Sequence, residues 1–199
     1  IGGMWSVTLT DSFQIVVAIT GLVILTSATL SDPLLGNGNP FVGFSVLFEK
    51  LGAEHPDHLR LWPDYATAGT TRAYVTAVLS VLAAWATGLF GNIPGQDLQQ
   101  RVFAAKNANT ASRACILAGV LYLAFGCLPL ILGFASLVTH PGGELEPVAF
   151  LANTYLSPAM LVVFVLAVVS MIISTATSAV LAPATILGHN LLARISFFK

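Results

Sequence analysis

Charged residues are scarce in this sequence. Asp, Glu, Lys and Arg make up 9% of its 199 residues, against 56% hydrophobic residues and a mean hydropathy of +0.84. Soluble domains carry about 25% charged residues, so this composition excludes an ordinary soluble domain and predicts a protein of the lipid bilayer. The net charge of −1 and the lack of a polybasic tract argue against a nucleic-acid partner.

Cysteine and histidine are scarce as well. Cys115 and Cys127 fall on one predicted helix, about 18 Å apart along its axis, which is too far for a disulfide. We therefore predict two buried, free thiols. The four histidines fall at or beyond the ends of the apolar runs, and no HExxH motif or Cys/His cluster has metal spacing. This pattern argues against a metal-dependent intramembrane enzyme.

Long apolar runs, in contrast, are abundant. Four of them reach the length of about 20 residues that a helix needs to cross a bilayer. We therefore predict an all-α integral membrane protein with four transmembrane helices. Apart from Asp11 and Arg72 at the ends of runs, none contains Asp, Glu, Lys, Arg or His. The predicted spans cover about residues 11–30, 72–93, 114–138 and 158–188.

The connections between the runs differ in charge. Residues 97–113 are basic, whereas residues 31–70 hold five acids against two bases, and residues 139–157 have no Lys or Arg. Because basic loops stay in the cytoplasm, we place 97–113 and the C-terminus there, with an extracellular loop at 31–70. Within that loop the run PFVGFSVLFEKLG is too short to span and predicts an interfacial or re-entrant helix. The chain starts without Met and ends directly after a span, so we expect an internal fragment of a larger protein.

The second run contains the sequence GLFGNIPGQ at residues 88–96. Three glycines and a proline disfavour a helix, and backbone groups freed in hydrocarbon need other partners. Two interpretations remain open from composition. Either the span ends in an ordinary turn, or a helix breaks and restarts at DLQQRVFAA, as transporter helices do at their binding sites.

The fourth run carries hydroxyl residues on one helix face. Ser170, Ser174, Thr177 and Ser178 recur at spacings of three and four, with Thr175 adjacent. Such hydroxyls let neighbouring helices approach and bond to one another. Together with freed carbonyls they also supply the oxygens that a hard cation such as sodium prefers. Spacing alone favours packing over a sodium site.

The stretch GNIPGQDLQQRVFAAKNANTASRA resembles the sodium/solute symporter family, whose members carry sugars, proline, choline, pantothenate and other small solutes. WSVTLTDSFQ is similar to the family's TD-x-x-Q motif, and SMIISTATSAVL to its sodium-binding helix. The resemblance covers essentially the whole chain. It implies a LeuT-like fold of two inverted five-helix repeats, of which residues 1–199, a fragment of one transmembrane transporter domain, would hold core helices 5–8.

The resemblance also implies functional residues. Two adjacent hydroxyls of the family's sodium site correspond to Ser174 and Thr175, and a backbone carbonyl one turn earlier corresponds to Met171. The remaining ligands lie on the first core helix, which this chain lacks. The unwound part of the broken helix faces the substrate. That part corresponds here to Gly88, Phe90, Gly91 and Asn92, with Trp85 nearby. Sugar carriers place paired aromatics and a polar residue there, which argues against a sugar as the solute.

Together these features predict sodium-coupled secondary active symport of a small organic solute across the plasma membrane. Na+ is the coupling ion, no enzymatic activity is expected, and the partners are the solute, the bilayer and the remaining helices of the same transporter. The alternatives are a proton-coupled or sodium-independent carrier of the same fold, and a non-catalytic membrane subunit. The lack of ionisable residues inside the runs argues against proton coupling.

Overall fold

The computed structural model describes residues 3–91, 95–140 and 146–188, and within these ranges the chain is helical with no β-strand. One turn of 3-10 helix, Pro56–Leu59, accompanies the α-helices. The α-helices are α1 Gly3–Leu30, α2 Pro40–Glu54, α3 Tyr65–Ala68, α4 Thr71–Phe90, α5 Gln96–Phe103, α6 Ala108–Thr139, α7 Pro147–Tyr155 and α8 Pro158–Ile186.

Four helices are long and apolar enough to cross a membrane. They are the Thr8–Leu30 part of α1 and the whole of α4, α6 and α8. The predicted all-helical membrane architecture with four helices of spanning length is therefore confirmed. The assignment of these helices to core positions 5–8 of an inverted repeat stays a prediction.

Two of the helices begin well before the apolar runs that predicted them. α1 begins at Gly3, so Asp11 lies more than two turns inside the helix rather than at its end. α6 begins at Ala108 because the side chain of Asn107 accepts a hydrogen bond from the backbone N–H of Thr110 at 2.8 Å. Hydropathy misses these first turns because they contain polar residues.

The structure describes the helices on both sides of the predicted break but not the residues between Gly91 and Gly95. α4 ends at Phe90, where the N–H of Gly91 still bonds to the carbonyl of Thr87 at 2.8 Å. α5 begins at Gln96. Residues 92–94, including Asn92 of the predicted substrate site, lie outside the described residues.

α1 is the central helix of the described bundle, since it packs against α2, α6, α7 and α8. One core cluster joins Leu25 of α1 to Leu132 of α6, Leu151 of α7 and Phe164 of α8. The ring of Phe164 lies against Gly21, where a Cβ would approach it to 2.9 Å. Glycine at this position therefore lets α1 and α8 come close together.

The end of the bundle that carries α2 is tied by a side-chain hydrogen bond. The hydroxyl of Tyr155, the last residue of α7, donates to Oδ2 of Asp32 at 2.8 Å. Burial raises the pKa of Tyr155 to about 12, and the neighbouring Asp32 carboxylate adds to the rise. The hydroxyl is therefore protonated at neutral pH and can donate this bond.

The two cysteines are free and exposed on α6. The prediction that they are buried is wrong, because the buried residues of α6 all lie in its last two turns, from Leu132 to Thr139. The described part of the chain leaves the first two thirds of α6 uncovered, and both thiols lie there.

Candidate functional site

The three residues predicted to bind sodium lie together on α8. The hydroxyl of Thr175 donates to the backbone carbonyl of Met171 at 2.9 Å, so these two oxygens are adjacent. The hydroxyl of Ser174 instead donates to Oδ1 of Asp11 on α1. α8 thus presents two hydroxyls and a carbonyl at its boundary with α1.

Asp11 is the charged centre of this boundary. Its other carboxylate oxygen, Oδ2, accepts a hydrogen bond from Nη2 of Arg101 on α5 at 2.8 Å. The same nitrogen also donates to the hydroxyl of Ser178 at 3.0 Å. The Asp11 side chain is 22% exposed and that of Arg101 43%, so the ion pair is partly shielded. Three helices, α1, α5 and α8, therefore meet at one carboxylate.

Gln14 lies one turn further along α1 on the same side. Its amide nitrogen donates to the hydroxyl of Ser170 on α8 at 3.1 Å. Its carbonyl oxygen Oε1 is buried and has no hydrogen-bond partner among the described residues. Leaving such an acceptor unpaired costs about 1–3 kcal/mol, so this oxygen favours occupation of the adjacent space by a cation or a donor.

These side chains surround a cavity of about 310 Å³. Its polar atoms are chiefly oxygens, the hard ligands that alkali and alkaline-earth cations prefer. Within residues 3–91, 95–140 and 146–188, no three His, Cys, Asp or Glu side chains come together as metal ligands, so the set differs from a zinc-type site. The lining residues are Asp11, Gln14, Ile15, Leu98, Arg101, Met171, Ser174, Thr175 and Ser178.

The residues predicted to face the solute lie elsewhere. Trp85, Gly88 and Phe90 are on the last turns of α4, and the side chains of Trp85 and Phe90 are 59% and 65% exposed. Gly91 follows directly after α4. In the part of the chain that the structure describes, α4 packs only against α3. The structure therefore does not bring these residues next to Ser174 and Thr175, and their role stays a prediction.

Three polar residues of the cavity, all outside α8, are not among the site residues proposed from the sequence. Asp11 and Gln14 are the acid and the amide of the TD-x-x-Q stretch, and Arg101 is the arginine of the QR stretch. Asp11 was set aside because hydropathy placed it at a span end. The signal that could have identified Asp11 is that it is the one acid in the stretch WSVTLTDSFQ, which resembles a motif of the family.

The geometry indicates a class of membrane protein. The described helices include four of spanning length, and polar side chains of α1, α5 and α8 meet at one cavity among them. Polar and ionisable side chains between membrane helices are typical of ion-coupled carriers. The family model of the sodium:solute symporter family matches residues 1–197. The chain therefore belongs to the sodium:solute symporter family, and with it to the membrane transport proteins that couple symport to sodium. Searches of curated proteins and of solved structures gave no match to the chain.

Proposed function

We propose that this chain is part of a sodium-coupled symporter of a small organic solute in the plasma membrane. Sodium binds at the hydroxyls of Ser174 and Thr175 and the carbonyl of Met171, with further ligands from helices outside this chain. Residues 97–113 and the C-terminus face the cytoplasm. The remaining helices of the same transporter and the bilayer complete the structure, and no bond is made or broken.

A single observation carries the proposal: the hydroxyl face of α8 borders a cavity that also holds the side chains of Asp11 and Gln14, instead of only packing against another helix. Ser174 contacts the Asp11 carboxylate there, and Gln14 has a buried oxygen without a partner. A sodium ion at Ser174 would gain an anionic neighbour in Asp11. The guanidinium of Arg101 balances that charge when the ion is absent.

Coupling follows from the difference in sodium affinity between two conformations. Sodium stabilises the state in which the solute site is open to the outside. The solute then binds at the helix break, beside Trp85, Gly88, Phe90, Gly91 and Asn92, and a rocking motion of the helix bundle releases both inside. Half-helix ends and unwound carbonyls at such a break bind ligands without charged side chains.

The test of the sodium site is solute uptake by the full-length transporter in proteoliposomes at varied sodium concentration. We expect the double variant Ser174→Ala with Thr175→Ala to need at least tenfold more sodium for half-maximal uptake, equivalent to about 1.4 kcal/mol. The matched control is Thr20→Ala, because within the described residues the Thr20 hydroxyl bonds to the carbonyl of Val16 in its own helix. An unchanged sodium dependence in the double variant would show that the site is elsewhere.

The same assay separates the rival functions. A proton-coupled carrier would take up solute without sodium and lose uptake when the proton gradient is collapsed. A sodium-independent carrier would equilibrate the solute under either condition. A non-catalytic subunit would give no uptake unless another protein were added.

The solute site is tested separately through α4. Phe90→Ala and Trp85→Ala should raise the solute concentration for half-maximal uptake several-fold, because each removes an exposed ring beside the break. Leu89→Ala is the matched control, since Leu89 is 63% exposed and lies between the same turns. Equal effects in all three variants would place the solute away from this face of α4.

A further inference from the structure

α2 is firmly placed on the bundle by a narrow buried stripe. Gly43, Leu47 and Leu51 follow one another at intervals of four residues, and all three are buried against α1 and α6. Gly43 touches the backbone of Leu30, the last residue of α1, so closely that no Cβ would fit. This packing fixes the rotation of α2 about its own axis, and with it the direction of its exposed faces relative to the bundle.

One of these other faces is aromatic. Phe41 is 86% exposed and Phe44 is 45% exposed, and Phe44 stacks against Phe48 with 4.9 Å between ring centroids. The ring of Phe48 in turn makes an edge contact with Phe134 of α6, at 6.3 Å. Ring contacts therefore join Phe44 and Phe48 of α2 to Phe134 near the end of α6.

The adjoining face of α2 is polar. Ser45 and Glu49 are exposed and one helical turn apart, on the side away from the buried stripe. The exposed surface of α2 thus changes around the helix from an aromatic face to a face that carries Ser45 and Glu49 together with Val42, which is 47% exposed. This division is typical of a helix that lies at a boundary between apolar and aqueous surroundings.

The height of α2 in the bundle identifies that boundary. α2 packs against the last residue of α1, and its core cluster includes Ala135, close to the end of α6 at Thr139. Two helices of spanning length therefore end at the level of α2. Helices that span a bilayer end near the lipid headgroups. At 15 residues α2 is about 22 Å long, too short to cross the hydrocarbon itself.

We propose that α2 lies in the membrane interface and that Phe41, Phe44 and Phe48 contact lipid at the acyl-chain boundary. The polar side with Ser45 and Glu49 faces water. Lipid is the occupant that fits, because α2 lies at the ends of two helices of spanning length and its most exposed aromatic ring, Phe41, lies on the same side of α2 as Phe44 and Phe48. Aromatic rings are enriched at this depth of the bilayer. The proposal is independent of the sodium and solute sites.

The test uses site-directed spin labels in the full-length transporter, reconstituted in phosphatidylcholine liposomes. Single cysteines replace Phe41, Phe44, Ser45 or Glu49 in a background without other cysteines, including Cys115→Ser and Cys127→Ser. Collisions with oxygen, which concentrates in lipid, are compared with collisions with a water-soluble nickel complex. We expect the oxygen-to-nickel ratio to be several-fold higher at Phe41→Cys and Phe44→Cys than at the controls Ser45→Cys and Glu49→Cys.

Two other results would overturn the proposal. Low accessibility to both reagents at positions 41 and 44 would mean that protein, from another segment or a second copy, covers the aromatic face. High accessibility to nickel there would mean that the aromatic face is exposed to water. Retained solute uptake by each labelled variant shows that it is folded, and the two aromatic positions serve as independent readouts.

Discussion

α4 and α5, the two helices on either side of the break, are held in contrasting ways. α4 has 20 residues and none of them is buried, and within the described parts of the chain it packs only against α3. α5 has eight residues, yet it contacts both α6 and α8 and is fastened by side-chain bonds from Gln100 and Arg101. The position of α4 depends on its length and apolar surface, whereas the position of α5 depends on bonds to particular side chains of other helices.

The helix break thus lies between two helices that are stabilised by different interactions. An apolar helix such as α4 needs only its own backbone hydrogen bonds and a hydrophobic environment. A short polar helix such as α5 gains little from hydrophobic burial, so its position depends on partners on other helices. We therefore expect removal of a bonded side chain on α5 to lower the free energy of unfolding more than a substitution on α4 does.

Removal of the Arg101 side chain should give the largest effect. Arg101→Ala leaves the Asp11 carboxylate without its cation and removes the bond to Ser178. We expect a loss of about 1.5 kcal/mol, at the low end for hydrogen bonds to charged groups because both side chains are partly exposed. Thermal unfolding of the full-length protein in detergent measures it, with Lys106→Ala, exposed and outside the cavity, as the control. In a double-mutant cycle with Asp11→Ala the two losses should not add, and full additivity would contradict the ion pair.

At the opposite end of the bundle, Tyr155 links α7 to the residues after α1 by a side-chain hydrogen bond, as Arg101 links α5 to α1. Tyr155→Phe removes the bond to Asp32 and should cost about 1 kcal/mol at neutral pH. Because the folded-state pKa is raised to about 12 from 10, the wild-type stability from this group is complete below pH 10 and falls between pH 10 and 12. Thermal unfolding at pH 7 and in that window checks both statements. The variant should lack this particular decline, and an equal decline in both proteins would assign it to other groups.

A smaller effect is expected at Gln100. Its amide nitrogen donates to the hydroxyl of Thr185 on α8 at 2.9 Å, and Gln100→Ala should cost about 0.6 kcal/mol, the average for hydrogen bonds between membrane helices. The matched control on α5 is Phe103→Ala, since Phe103 is 81% exposed. The measurement is again thermal unfolding. A larger loss for Phe103→Ala would show that α5 is held by apolar packing instead.

The smallest effect belongs to α4. The hydroxyl of Ser80 bonds to the carbonyl of Thr76 in the same helix at 2.9 Å. Ser80→Ala should therefore change the free energy of unfolding by less than about 0.5 kcal/mol. A loss above 1 kcal/mol in the full-length protein would mean that α4 has a specific polar partner, and the contrast with α5 would fail.

Hydropathy was sufficient to predict the four spanning helices, because the cost of exposing a polar backbone to lipid makes long apolar runs helical. It was insufficient for their first turns. α1 extends back to Gly3 and α6 back to Ala108 through polar residues, which helix caps and local bonds stabilise. The placement of Asp11 at a span end came from this error.

The cavity could be predicted only in part for a similar reason. Ser174 and Thr175 are neighbours in sequence, and the family resemblance was needed to single them out as a pair, because spacing alone favours helix packing. The contact between Ser174 and Asp11 joins residues 163 positions apart and arises from the packing of α8 on α1. Arg101 likewise reaches its partners only through the placement of α5. Spacing within one helix carries no information about such contacts.

The glycine at position 21 has a consequence for the geometry of the cavity. Gly21 faces Phe164 and Asp11 faces Ser174, so the two contacts are ten residues apart on both helices, about 15 Å along the axes. Because the two contacts join the same pair of helices, a change in the separation of α1 and α8 at Gly21 also changes their separation at Asp11. A methyl group at Gly21 would approach the ring of Phe164 to 2.9 Å and favour a wider separation of α1 and α8, which would move the Asp11 carboxylate relative to Ser174 in the proposed ion site.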